Sequence, residues 1–258
     1  MPISSRAERH RKAGACAGRR IAFWLLALLL LVWSTSPGRA EADATTAGWT
    51  SEQILEGVFK RMSAFEAAFP INESLRHVTI REQDPNDGEV FETRVIDQAV
   101  RGRVGENPTR KIESCRIDGE SVEPTRCEDK DQIAAPLRIF GPTGADNYTL
   151  KLGGRTVFQE VESWRIRVVP REPTSRHFKG DLFVAVDDLR LLGSEGTLAD
   201  LPFGVESLAV HLCFEEIDQG PVVKHGKIDV TLYVPVIVHK RLVSEFEATQ
   251  QRLLPAAG

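Results

Sequence analysis

Between residues 228 and 236 the chain sets Ile228, Val230, Leu232, Val234 and Val236 at successive alternate positions, with Asp229 and Thr231 between them. A two-residue period sends every second side chain to the same side of an extended strand, so this segment belongs to a sheet that is dry on one face and wet on the other. The same period governs most of the chain beyond Pro70. Val78 and Ile80 precede a turn signal at Pro85-Asn86-Asp87-Gly88, and Val90 to Ile96 resumes the alternation, which predicts a hairpin. Tyr148 to Leu152, Thr156 to Val161, Ser163 to Val169, Gly180 to Val186, Leu189 to Leu192 and Leu208 to Phe214 continue in this style. With one strand near Lys111 to Ile117 the count comes to about nine antiparallel strands. Pro235 falls at an outward position and predicts an edge or a bulge. Lys240 to Leu254 fits a final strand and a short helix equally well.

One segment keeps a different period. Thr50 with Gln53 three residues later predicts a capped helix start, and Ile54, Leu55, Val58, Phe59, Met62, Phe65 and Phe69 recur at three- and four-residue spacing until Pro70. Such a face must cover something apolar. A single helix cannot cover so many strands, so the sheet either curls around its own dry face as a barrel or half-barrel, or receives a second sheet. The curled form leaves room for a cavity. The expected fold class is mainly β (α+β): a curved antiparallel sheet or half-barrel with an N-terminal amphipathic helix packed on its concave face.

The first twenty residues hold Arg6, Arg9, Arg11, Lys12, Arg19 and Arg20 against Glu8, and the chain then turns apolar from Ile21 to Trp33. That run is short of the roughly 20 residues a membrane-spanning helix needs, and small-residue cleavage geometry follows at Ala40-Glu41-Ala42. Residues 1–42 are therefore expected to be a signal peptide cleaved after Ala42, residues 43–49 a linker and residues 50–258 one domain in the periplasm. Cys16 precedes the apolar run, where a lipoprotein's acylated cysteine would follow it. The chain carries a net charge of −4, and losing the basic leader makes the remainder more acidic, which disfavours a nucleic-acid partner. In an oxidising compartment Cys115 and Cys127, flanking a loop-like stretch, are expected to pair as a disulfide. Cys213 falls within a strand and is expected to be a buried small hydrophobe.

Catalytic signatures are missing from the sequence. Gly193-Ser194-Glu195-Gly196 lacks the spacing of a nucleophile elbow and reads as a turn. Gly220 to Lys227 is one residue too long for a phosphate loop, and Ile228 replaces the hydroxyl that would bind magnesium. His77, His177, His211, His225 and His239 have no metal-site spacing, and no cofactor is expected. Asp187-Asp188 and Glu215-Glu216 would point to opposite faces of a strand, so neither pair makes an acid/base couple. Arg165 and Arg167 alternate with Trp164, Ile166 and Val168 and read as a wet face. Residues 98–146, rich in Gly and Pro and holding Cys115 and Cys127, are the least legible part and have the character of a lid or binding loop.

An amphipathic helix followed by a long meander resembles the outer-membrane lipoprotein carrier family, the LolA- and LolB-like fold. Phe178 to Leu192, in which a Gly-led strand turns at Asp187-Asp188 into a second strand, resembles the hairpin that forms part of that family's ligand-facing wall. The likeness covers most of residues 50–250 in element order and about 40 residues in any motif-like way. The chain is longer than a typical carrier, and no ligand contact of the family transfers to a numbered position. The resemblance implies a half-open barrel whose dry concave face holds acyl chains. Alternation alone nominates Trp164, Ile166, Val184, Val210, Leu212, Phe214, Val230 and Leu232 as a ligand-binding wall, with Phe59, Met62 and Phe65 closing it. The expected partner is a lipid or an acylated lipoprotein. The alternatives are an envelope protein that binds another exported protein and, more remotely, an envelope hydrolase.

Overall fold

The computed structural model describes residues 49–68, 71–103, 108–128, 139, 144–217 and 220–254; the expected signal peptide, most of the linker, Phe69 and Pro70 lie outside them. Helix α1 spans Ser51–Ala68. Its start is a reciprocal cap: the Thr50 amide donates to Gln53 Oε1 at 2.8 Å and the Gln53 amide donates to Thr50 Oγ1 at 3.2 Å, satisfying two backbone donors that the first turn leaves open.

Eleven strands follow: β1 (Ile71–Gln83), β2 (Val90–Arg103), β3 (Thr109–Ile117), β4 (Glu120–Val122), β5 (Tyr148–Phe158), β6 (Val161–Pro170), β7 (Phe178–Ala185), β8 (Leu191–Leu198), β9 (Val205–Ile217), β10 (Gly220–Val234) and β11 (Val238–Leu254). A 3₁₀ turn, Pro124–Cys127, follows β4, and a single helical turn, α2 (Gly144–Asn147), precedes β5. All strands join one antiparallel, curved and unclosed sheet in the order β4-β3-β2-β1-β11-β10-β9-β8-β7-β6-β5. The expected curled sheet with a helix on its concave face is the observed architecture.

Several local expectations are corrected. The strands number eleven rather than about nine: β4, in the poorly legible region, and β11, in the undecided last segment, fall outside that count, while β3 is the strand expected near Lys111 to Ile117. Lys240 to Leu254 is strand throughout. Pro235 lies in the tight connection between β10 and β11, where the Ile237 amide donates to the Val234 carbonyl, so it is neither an edge nor a bulge. Gly193 to Gly196, expected as a turn, sits inside β8. A Cβ on Gly193 would lie 2.3 Å from the Phe158 ring, and one on Gly196 2.6 Å from the Phe178 ring. These glycines admit neighbouring rings in mid-strand instead of turning the chain. Gly153-Gly154 likewise lies within β5, at a register shift between Leu152 and Arg155, with Gly154 at φ +94°.

The register joins one set of side chains across the whole sheet. Leu152, Ile166, Leu182, Ser194, Leu212, Gly226, Phe246, Val78, Ile96, Cys115 and Val122 are successive cross-strand partners from β5 to β4. They belong to the concave face, and Ile166, Leu182, Ser194, Leu212, Val78, Ile96 and Cys115 are all buried. The next row on the opposite face is charged: Arg167, Asp181, Glu195, His211, Lys227 and Glu245 face one another in sequence, with Arg167–Asp181 at 2.6 Å and His211–Glu195 at 2.9 Å. Arg165 and Arg167 are exposed while Trp164, Ile166 and Val168 are buried, as a wet-face stripe requires. The Cys115–Cys127 disulfide forms, closing a separation of 12 residues. It lies in an apolar cluster with Val78 and Ile96, packed against by Phe246. Cys213 is a buried free thiol.

Candidate ligand-facing wall

Every residue nominated for the wall from alternation lies on the concave side. Ile166 and Leu212 belong to the row that crosses the sheet, and Trp164, Val184, Val210 and Phe214 stand two residues from row members on their own strands. Val230 pairs with Leu208, and Leu232 follows two positions later on β10. The structure nonetheless divides the wall. Ile54, Val58 and Met62 of α1 bury themselves among Trp164, Ile166, Leu182 and Val184, with Phe59 and Phe214 half-buried against the same cluster. Trp164, Ile166 and Val184 are 0–1 % exposed, so this part of the wall is filled core. Val230, with Val210 and Leu232 against it, belongs to a second cluster around Leu198 and Leu208.

Two glycines and one arginine seat the helix. A Cβ on Gly57 would meet Leu189 Cδ1 at 2.7 Å, and one on Gly220 would fall inside the Phe65 ring, so both backbones approach as closely as only glycine allows. Phe65 thus caps the start of β10 rather than facing Trp164. Arg61 donates to the Asp188 carbonyl at 2.9 Å and to the Glu216 carboxylate, fastening α1 to the β7–β8 turn and to β9.

The helix has 18 residues, about 27 Å at 1.5 Å per residue. Eleven strands spaced about 4.8 Å apart span about 48 Å between the outermost pair. A helix of that length cannot cover the whole row: Arg61 and Phe65 reach β9 and the start of β10, and the row runs on over β11, β1 and β2. There Phe246 lies over Gly226, whose added Cβ would stand 2.2 Å from the ring and 3.0 Å from Leu212 Cδ2.

Sequence reasoning missed the most unusual residue of this stretch. Arg76, two positions before Val78 and so on the same dry face, carries its guanidinium over the Phe246 ring, 5.0 Å from the centroid. Its Nε donates to Ser74 Oγ at 3.3 Å. Around it stand Ser74, Gln98, Val100 and Ala248, all buried. Burial, and then the positive charge of Arg110, push the Arg76 pKa down to about 10. The signal was present: counting the alternation backwards from Ile80 and Val78 puts Arg76 and Ser74 on the dry side.

Two hydrogen-bonded chains on the opposite face invite a catalytic interpretation, and their chemistry speaks against it. His77 Nδ1 lies 2.7 Å from Asp97 Oδ1, but Ser114 Oγ donates to the other oxygen of the same carboxylate, so no base faces the hydroxyl. Glu195, His211 and Cys213 are linked at 2.9 and 3.3 Å. Burial, followed by the Glu195 charge, raises the Cys213 pKa, the opposite of what an activated thiol needs. A cleft of about 580 Å³ beside His211 is lined by Arg167, Lys179, Asp181, Glu195, Lys227 and Asp229. Another, of about 470 Å³, opens near the Ile71 end of β1 among Glu73, Arg101, Arg110, Lys111 and Arg252. Charged residues make up about half of each lining, beside small and apolar ones such as Val100 in the one and Val210 in the other. Among the described residues no His, Cys, Asp and Glu group has the geometry of a metal site.

Fold and wall together define a class: an open, curved antiparallel sheet with one helix on an apolar concave face. The chain is similar in structure to several solved proteins. They include a DUF1329 family protein from Desulfovibrio piger (11 % identity, TM-score 0.44, covering 81 % of this chain and 95 % of that one). A putative outer membrane lipoprotein-sorting protein domain from Vibrio parahaemolyticus shares 10 % identity at TM-score 0.42, over 81 % and 95 % of the two chains. A LolA superfamily protein from Nitrosomonas europaea shares 13 % at 0.39, over 77 % and 93 %. No protein-family model and no curated protein matches the sequence.

Proposed function

We propose that the protein is a periplasmic binding or carrier protein that shelters an acyl chain, free or attached to a lipoprotein, on the concave wall. Residues 1–42 serve as its cleaved export signal, and residues 50–258 act as one domain. The observation that carries this reading is the apolar row spanning eleven strands under a helix about half as long as the sheet is wide. The part under α1 is core, so the ligand-facing portion is the stretch that includes Val210, Leu212, Val230, Leu232 and Phe246. Burial of hydrocarbon supplies about 0.8 kcal/mol per methylene, so such a site needs area and no catalytic constellation. Native mass spectrometry of the full chain matured in a bacterial periplasm should find lipid bound, and the delipidated protein should take up a fluorescent fatty acid. Absence of both abolishes the proposal.

A second reading, an envelope protein that docks another exported protein, draws on a different observation. Phe203 is 95 % and Ile237 77 % exposed on the β8–β9 and β10–β11 connections, which a 2.8 Å bond from the Tyr233 amide to the Gly204 carbonyl draws together. Val236, a β-branched residue at φ +68°, is held there in a conformation such residues avoid. Capture of one specific envelope protein by the wild type and its loss in Phe203→Ser/Ile237→Ser would favour this reading; capture unaffected by the change would remove it.

A further inference from the structure

The arginines of this sheet are, as a rule, matched to acids. Arg81 meets Glu245, Arg155 meets Glu162, Arg167 meets Asp181, Arg190 meets Asp188 and Arg241 meets Asp229. All of these partners lie on wet surfaces, where pairing contributes little and solvent would serve nearly as well. Arg76 reverses the pattern. It packs on the dry face, as Arg94 and Arg110 also do by register, but where Arg94 meets Glu92 there, among the described residues no carboxylate reaches Arg76. Its neighbours are a hydroxyl, an aromatic ring and a second cation, Arg110, on the register row Ser74, Val100, Arg110.

A cation held against apolar surface with no opposite charge is disfavoured, and one hydroxyl and one ring face offset that only in part. Ser74 and Gln98, buried on either side, add hydrogen-bonding capacity that an apolar ligand alone would not use. The arrangement is a short polar station beside a long greasy track, because Phe246 and Leu212 lead away from the guanidinium along the concave row. A guanidinium presents parallel N–H donors that match a carboxylate or a phosphate.

We infer that the ligand of the concave wall is an anionic amphiphile, an acyl chain ending in a carboxylate or a phosphate, and that Arg76 is the residue that holds the charged end. This rests on the acyl-binding function proposed above and specifies its ligand. The cationic partner Arg110 raises the local positive potential, and the Phe246 ring fixes the guanidinium plane so that the chain can enter along the aromatic edge.

The test uses the mature protein and three ligands of equal chain length: dodecanoate, dodecyl phosphate and dodecanol, each displacing the neutral probe Nile red. The wild type should bind at least one anion roughly tenfold more tightly than dodecanol, the factor expected of one charge-assisted hydrogen bond. The favoured anion tells a carboxylate head from a phosphate head. Arg76→Met should bring all three ligands within about twofold of one another while leaving dodecanol unchanged, and Arg76→Lys should keep part of the preference. Equal affinities in the wild type, or a preference that survives Arg76→Met, overturn the inference. Failure of the wild type to bind Nile red or any of the three removes the acyl-binding function itself, a distinct outcome. Thermal unfolding separates anchoring from scaffolding: Arg76→Met should melt at or above the wild-type temperature, and a clear loss of stability would assign Arg76 to the scaffold and overturn the inference.

Discussion

Replacing Gly226 by alanine probes the centre of the concave face directly. Gly226 pairs with Phe246 of β11 on one side and Leu212 of β9 on the other, and the added methyl would stand 2.2 and 2.3 Å from two ring carbons of Phe246 and 3.0 Å from Leu212 Cδ2. The two ring separations are more than 1 Å inside ordinary carbon contact, so the ring must leave its position. Removing a glycine from a strand would by itself gain about 0.4–1 kcal/mol through the unfolded state, whereas overpacking costs about 1–3 kcal/mol. The balance is a net loss of about 1–2 kcal/mol, or roughly 2–8 °C in melting temperature for a chain of this size. Phe246→Leu alone removes the ring and should cost a similar amount. In that background Gly226→Ala should be neutral or stabilising, because the methyl then occupies the vacated space. Urea titrations of the four proteins give the coupling energy, which should exceed 1 kcal/mol. Additivity to within about 0.5 kcal/mol, or a single Gly226→Ala variant as stable as the wild type, would show that the ring does not lie over Gly226 and that the β10–β11 register is wrong.

Three further outcomes follow from other parts of the sheet. Hydrogen bonds from Arg241 hold the Asp229 carboxyl below its ordinary pKa, those from His77 and then Ser114 do so for Asp97, and that from Arg81 for Glu245. Groups depressed on folding stabilise fully above about pH 4 and lose that contribution as pH falls through their folded values, so urea midpoints should drop below pH 4 and drop less steeply in Asp229→Asn; identical slopes would contradict this. Breaking Cys115–Cys127, with its separation of 12 residues, should cost about 3 kcal/mol, and thiol titration of the denatured mature protein before reduction should find Cys213 alone. Ser194 Oγ is buried without a hydrogen-bond partner, so Ser194→Ala should be neutral or stabilising by up to about 1 kcal/mol, and a loss greater than that in urea would reveal a partner for the hydroxyl.

How far the sequence disclosed this molecule depended on whether a signal was local. The Thr50 and Gln53 cap, the helix period and the alternation from Ile228 to Leu232 each act within a few residues, and each appears in the structure as expected. So do the Arg165 and Arg167 wet face and the cysteine pair. The missed features are set by distant neighbours. Gly193 and Gly196 look like turn residues until the Phe158 and Phe178 rings that need their space are known. Val210 and Trp164 share a face but not a cluster, because the length of α1 against the width of the sheet, and not the pattern of either strand, divides the wall. Alternation could have placed Arg76 on the dry side, but only the packing of its neighbours reveals that among the described residues its charge has no acid to meet.

The first strand of the sheet and the last are neighbours: β1 pairs along its length with β11, from Ile71 opposite Leu254 to Gln83 opposite Arg241. The two halves, β4 to β1 on one side and β5 to β10 on the other, meet only through that final strand. Local hairpins can form as the polypeptide emerges, but the seam closes only after the seventeen residues of β11 have been delivered, at the entropic cost of joining segments far apart in the chain. By the same logic, loss of a few C-terminal residues would not trim an edge but would unzip the middle.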